Sequence, residues 1–222
     1  MISILCFGDS NTWGYDPFTK GRYEYEHRWP GVLQKLLGEN YRVLEEGLNG
    51  RTTVWDDPVE DGTGTKNGLK HLPVCLSTHS PLDLIIMMLG TNDLKRRFSS
   101  SPLESAMGLE RLIRTVRFHD YYPINKVPEI LVVSPPKIGQ LTEEFQNFFA
   151  ADISEKSREF GGHIRSICEK NSCLFLDAAE VVSPDPSDAI HLSRESHLTL
   201  GATIKKLIGY HFRKPQEPVL KR

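Results

Sequence analysis

No stretch of this sequence approaches the ~18 to 20 consecutive apolar residues that a membrane-spanning helix requires. The net charge is only −2 at pH 7, which leaves no strong field to draw nucleic acid or an anionic lipid surface. Cysteine is scarce. Cys6, Cys75, Cys168 and Cys173 stand in apolar or mixed surroundings without C-x-x-C spacing. That pattern fits buried free thiols in a reducing compartment, with a Cys168–Cys173 bridge as the alternative. Internal repeats, low-complexity tracts and linkers are absent. An apolar strand begins at once, with no sign of a secretory leader before it, so a cytoplasmic location is expected.

What is present is an alternation of strands and helices over 222 residues, a length that suits one α/β domain over 1–212 with a polar tail at 213–222. Ile2, Ile4, Leu5, Cys6 and Phe7 read as a buried first strand, and 41–46, 82–89, 130–133 and 174–176 as four more. Helical stripes occupy 28–37, ended by Gly38, and 102–118, with Leu103, Met107, Leu109, Leu112, Ile113 and Val116 facing inward. Residues 145–170 read as one helix or two, weakened at Gly161-Gly162, and 195–212 as a closing helix. The expected architecture is α/β, a doubly wound three-layer sandwich on a five-stranded parallel sheet. Two long polar stretches, 16–27 and 55–71, follow the first and second strands and are expected to wall a substrate site.

Polar groups recur where strands end. Ser10 follows the first strand in Gly8-Asp9-Ser10, Gly50 the second, and Asn92 the third in Gly90-Thr91-Asn92-Asp93. Asp188 and His191 precede the last helix. In open α/β sheets the carboxyl edge is where ligands bind, so these groups should gather there. A serine attacking an ester carbonyl needs a base and oxyanion donors. His191 can be that base and Asp188 can fix its tautomer. The Ser10 and Gly50 N–H groups and the Asn92 amide can form the oxyanion hole. Trp13, three residues from the serine, is assigned to the substrate pocket, with Asp9 and Trp55 beside it. His197 is the rival base, lacking an acid three residues before it, and Asp93 is expected to cap the turn that follows it.

These blocks carry a resemblance. Gly8-Asp9-Ser10, Gly50, Gly90-Thr91-Asn92-Asp93 and Asp188-Ala189-Ile190-His191 stand in the order and spacing of the GDSL, or SGNH, hydrolase superfamily, over about 2–207. Ile4 to Gly14, Glu45-Glu46-Gly47-Leu48, Arg51-Thr52-Thr53, Asp56-Asp57-Pro58 and Met88 to Asp93 are similar to its bacterial arylesterase and acyltransferase subgroup. The resemblance implies a flavodoxin-like fold. It makes Ser10 the nucleophile, His191 the base, Asp188 its partner, and Ser10, Gly50 and Asn92 the oxyanion donors. It also implies no metal, no organic cofactor, and a homo-oligomer. Asn11 departs from the pattern, since many members have an apolar residue there, and some acyltransferases carry alanine at the position of Gly50.

The activity so implied is hydrolysis of small short-acyl or aryl esters through an acyl-serine, with acyl transfer to alcohols as an extension. A carbohydrate acetylesterase is the alternative, because the same site serves both and only the loops differ. A non-catalytic phosphate- or nucleotide-binding flavodoxin-like module is the third reading. It lacks a glycine-rich cradle, and Asp9 would repel phosphate.

Overall fold

Residues Ile2–Gly8 (β1), Tyr41–Gly47 (β2), Leu84–Met88 (β3), Glu129–Ser134 (β4) and Leu174–Asp177 (β5) pair in parallel in the order β2-β1-β3-β4-β5. The computed structural model describes residues 1–212; the tail expected at 213–222 lies outside the described residues. The helices between the strands are Ser10–Trp13 (α1), Trp29–Leu37 (α2), Gly68–His79 (α3), Pro102–Phe118 (α4), Glu143–Gln146 (α5), Ile153–Lys156 (α6), Phe160–Lys170 (α7) and Arg194–Phe212 (α8).

Alternation along each strand builds two cores. Leu5, Phe7, Ile85, Met87, Ile130 and Val132 point to one face, packed under Leu72 and Leu76 of α3, Leu109 and Ile113 of α4, and Ile164 of α7. Ile4, Cys6, Leu84, Ile86, Leu131 and Val133 point to the other, against Trp29 and Leu33 of α2 and Leu200 and Ile204 of α8. Both faces of the sheet are therefore covered. That explains why these strands read as unbroken apolar runs rather than alternating ones. The strand order reverses at β1, so the crevice beyond the carboxyl ends of β1 and β3 is where a ligand site is expected.

Several elements differ from the sequence reading. Helix α3 begins at Gly68 and contains Pro73, a poor helical signature. It starts because the Asn67 side chain accepts from the Leu69 and Lys70 N–H groups, so the polar stretch after β2 ends at residue 67 rather than 71. The 145–170 segment breaks between α5 and α6, not at the glycine pair. Gly161 lies in the first turn of α7, where an added Cβ would sit 2.1 Å from Asp177 Oδ2. It marks a close approach of helix and sheet edge, not a weak point. Leu103 and Met107 face solvent, and Ser105, Ala106 and Gly108 take the inner positions beside Leu109, Leu112, Ile113 and Val116. Leu36, an apolar residue of the 28–37 stripe, is also exposed, while Gly38 does end that helix, at φ 77°. All four cysteines are free, which removes the Cys168–Cys173 bridge. Among the described residues no helix is long and apolar enough to cross a membrane.

Candidate active site

Ser10 opens α1, a single turn held by its own local chemistry. Asp9 Oδ1 accepts from the Asn11 N–H at 3.0 Å, and Gly14, at φ 87°, closes the turn with its N–H on the Ser10 carbonyl. The Ser10 Oγ lies 2.8 Å from His191 Nε2, and His191 Nδ1 lies 2.6 Å from Asp188 Oδ2. A carboxylate only accepts, so Nδ1 carries the ring proton and Nε2 is left as an acceptor facing the serine hydroxyl. The other Asp188 oxygen, Oδ1, accepts from the backbone N–H groups of Ile190 and His191, both at 2.9 Å. One carboxylate thus orients the imidazole and shapes the turn that carries it. Burial pushes the Asp188 pKa up, but the hydrogen bond and charge of His191 and the two backbone N–H groups outweigh it, so the carboxyl is held below its ordinary value.

Asn11 brackets the base. Its Oδ1 accepts from the Leu192 N–H at 2.9 Å and its Nδ2 donates to the Ile190 carbonyl at 3.3 Å. The residue after the candidate nucleophile therefore grips the chain on both sides of the candidate base, which an apolar side chain cannot do. The sequence reading registered Asn11 only as a departure; the signal was a polar residue at a buried position. Tyr15 lies over the imidazole with ring centroids 4.3 Å apart, and Phe145 meets it edge-on at 6.0 Å.

The oxyanion candidates come from three strand exits. Gly50 sits at φ 77°, a left-handed conformation in which any side chain is strained. Asn92 Nδ2 donates one hydrogen to the Arg51 carbonyl at 3.2 Å, which fixes the amide and leaves its second N–H for a ligand. Asp93 does not cap the turn after it. It reaches back to Thr53, accepting from its N–H at 2.8 Å and from its hydroxyl, and ties the loop after β2 to the exit of β3. Burial pushes the Asp93 carboxyl up to about 7 against those hydrogen bonds. Arg51, also buried, donates to the Gly8 carbonyl at 2.9 Å and lies 4.3 Å over the Phe7 ring.

Ser10, Gly50, Asn92 and His191 line one cavity of about 280 Å³. Tyr15, Phe145, Phe148 and Phe149 make an aromatic wall, and Asn49, Glu60, Lys66 and Lys95 a polar one. The 55–67 loop supplies Glu60 and Lys66, as expected. Glu60 is clamped there by Lys95 Nζ at 2.8 and 2.9 Å from its two oxygens. The 16–27 loop lines none of it. It touches the wall from outside, through an exposed Lys20–Glu144 ion pair at 2.6 Å. The three phenylalanines of the aromatic wall come from α5 and the residues after it.

The three residues assigned to the pocket lie elsewhere. Asp9 is buried, with its carboxylate on the α1 backbone; burial pushes it up to about 6. Trp13 lies under the Arg22 guanidinium at 4.7 Å and is not part of the cavity lining. Trp55 stacks on Phe98 at 6.2 Å. His197, the rival base, is fully buried and its Nδ1 accepts from the Trp29 N–H at 3.2 Å. Burial, then the charges of His191 and Arg28, pull it down to about 3, so it stays neutral and serves the α2–α8 junction.

Asn92→Ala is expected to lower kcat for an ester substrate by roughly 10²- to 10³-fold with KM little changed, as for loss of one oxyanion donor. Steady-state kinetics of the variant check this, and a change under threefold would remove Asn92 from the donor set.

The sequence matches the GDSL-like lipase/acylhydrolase family over residues 6–199. It is 30% identical over 118 residues to an acetylxylan esterase of Xylanibacter ruminicola, covering 52% of this chain and 22% of that protein. It is 30% identical over 117 residues to an arylesterase of Vibrio mimicus, covering 51% of this chain and 48% of that protein. The matches thus span less than half the length of these curated relatives. Among solved structures, a carbohydrate acetylesterase family member from Sinorhizobium meliloti superposes with a TM-score of 0.90 at 40% identity, covering 95% of this chain and 98% of that one. The native aryl esterase of M. smegmatis superposes at 0.89 and 37% identity, covering 95% and 99%.

Proposed function

This chain belongs to the GDSL-like lipase/acylhydrolase family, and from that premise we propose that it is a carboxylic ester hydrolase that acts on small esters through an acyl-enzyme at Ser10. The observation that carries the reading is the continuous chain from Asp188 Oδ2 through His191 to Ser10 Oγ, at 2.6 and 2.8 Å, opening on the cavity that Gly50 and Asn92 also line.

In the proposed reaction the Ser10 Oγ attacks the ester carbonyl while its proton passes to His191 Nε2. The carbonyl oxygen, now an oxyanion, is held by the Ser10 and Gly50 N–H groups and the Asn92 amide. Collapse expels the alcohol, which takes the proton from His191, and leaves the acyl group on Ser10. Water, deprotonated by His191, then releases the acid; an alcohol in its place would give the transferred ester. Asp188 holds the imidazole and stabilises its charge when protonated.

Small substrates follow from the cavity. A volume of about 280 Å³ falls at the lower limit of ligand pockets, roughly 300 to 1,000 Å³, and Phe145, Phe148 and Phe149 leave little room to extend an acyl chain. The expected result is a kcat/KM for p-nitrophenyl acetate at least roughly tenfold above that for the octanoate, with the butyrate between, since single methylene misfits cost about 1 to 3 kcal/mol. Equal rates across the series would overturn the small-pocket reading.

A carbohydrate acetylesterase is the second reading. The polar wall of Asn49, Glu60, Lys66 and Lys95 favours a hydroxyl-bearing alcohol, and the Sinorhizobium meliloti neighbour is described as a carbohydrate acetylesterase. A phosphate-binding module leaves the Ser10–His191–Asp188 chain without a role.

A further inference from the structure

Helix α3 carries His71, Cys75 and His79 at successive four-residue intervals, which places them on one helical face. Opposite that face stands Glu46 of β2. His71 Nε2 lies 3.6 Å from Glu46 Oε2, and His79 Nε2 lies 2.7 Å from Glu46 Oε1. One ligand atom each from Glu46, His71 and Cys75 falls within 4.8 Å of the others. None of these side chains takes part in the proposed ester chemistry.

We propose that Glu46, His71 and Cys75 form a binding site for a zinc-like divalent cation, with His79 holding the carboxylate in position. The donor set carries the choice of ion. A thiolate beside an imidazole selects late first-row metals over magnesium and calcium, which take oxygen donors. Tetrahedral bonds of about 2.0 to 2.3 Å place neighbouring ligand atoms roughly 3.3 to 3.7 Å apart. The Glu46–His71 separation of 3.6 Å already meets that, and closing the remainder of the triangle takes shifts within the reach of side-chain torsions. His79 on the free carboxylate oxygen is the outer partner that metal-bound carboxylates commonly have. Cys75 is buried while the His71 side chain is 38% exposed, so the cluster has one edge open to solvent.

The surrounding charge is compatible. Arg51 faces the cluster and donates to the Glu46 carbonyl, adding one positive charge. A thiolate and a carboxylate supply two negative ones. A free thiol at neutral pH is largely protonated, and only the thiolate binds a metal. The cation takes the place of that proton: the S–H bond breaks, the metal–sulfur bond forms, and one proton leaves to the buffer.

Titration of the reduced full-length protein with Co²⁺ tests this. One equivalent should bind, with a thiolate-to-cobalt band in the near ultraviolet and the intense visible bands of a four-coordinate ion. Cys75→Ala should abolish the near-ultraviolet band. His71→Ala, at a partly exposed position that spares the fold, should weaken binding at least tenfold. His79→Ala should weaken it roughly 10- to 100-fold yet keep the band. Zn²⁺ calorimetry in two buffers of different ionisation enthalpy should report one proton released. Circular dichroism confirms that each variant is folded. Binding without the thiolate band, a band that survives Cys75→Ala, equal affinity in wild type and His71→Ala, or no binding at all would each overturn the site.

Discussion

Ser10→Ala is expected to lower kcat for p-nitrophenyl acetate on the order of 10⁶-fold, the loss that follows when a serine hydrolase is deprived of its nucleophile. At about 1.36 kcal/mol per decade this is about 8 kcal/mol of transition-state stabilisation. The size follows from the geometry. The hydroxyl removed is the atom that forms the new bond, and His191 Nε2, 2.8 Å away, has no other acidic proton to take. What remains is the set of oxyanion donors acting on attack by water, so a small residual rate is expected. The fold should be untouched, because the Asp9 cap and the Gly14 closure of α1 use backbone groups of the turn and not the Ser10 hydroxyl. Active-site titration, initial rates and a thermal melt check the three parts together. A variant that melts like wild type and keeps even a tenth of the activity would show that Ser10 is not the nucleophile.

Asp188→Asn should cost roughly 10⁴-fold in kcat, and its reasoning runs through the tautomer. The amide oxygen can still accept from the Ile190 and His191 N–H groups, as Asp188 Oδ1 does now, so the turn persists. The amide nitrogen then faces His191 Nδ1 as a donor. The ring must accept there, and its proton moves to Nε2, where it points at the hydroxyl it should deprotonate. Asp188→Ala removes the turn anchor as well and should also lower the melting temperature. A comparison of the two variants separates orientation from loop support: a similar kcat with a lower melt for the alanine variant is the expected pattern. If Asp188→Asn loses less than tenfold in kcat, Asp188 does not set the tautomer.

Much of the site was readable because its signals are local. Gly8-Asp9-Ser10 ends a strand that no other apolar run can displace, and Asp188 and His191 are three residues apart, so one turn brings them together. The aromatic wall was not readable. Phe145, Phe148 and Phe149 scan as one face of a helix, and their place at the cavity depends on α5 stopping after Gln146. Trp13 was misplaced for the converse reason. Three-residue spacing does put it on the Ser10 side of a helical turn, but its ring packs with the Arg22 guanidinium of the loop that follows, a partner that the spacing to Ser10 does not reveal. Helix α3 was hidden by Gly68 and Pro73, because local propensity argues against a helix that burial of Leu72 and Leu76 sustains. Leu103 and Met107 matched the apolar period of α4 yet lie outside the sheet's shadow.

The sequence by itself determined the alternation of buried strands and covering helices, the identity of the candidate reactive groups, and the edge of the sheet at which they meet, because these follow from side-chain period and from short-range turns. Tertiary structure alone decided the pocket's walls, the grip of Asn11 on the base loop, the back-bond from Asp93 to Thr53, and the meeting of Glu46 with the face of α3. Each of those is a contact between segments 25 or more residues apart, or a side-chain direction set by what packs beside it. Such contacts exist only after the chain has closed, and residue type and spacing do not encode them.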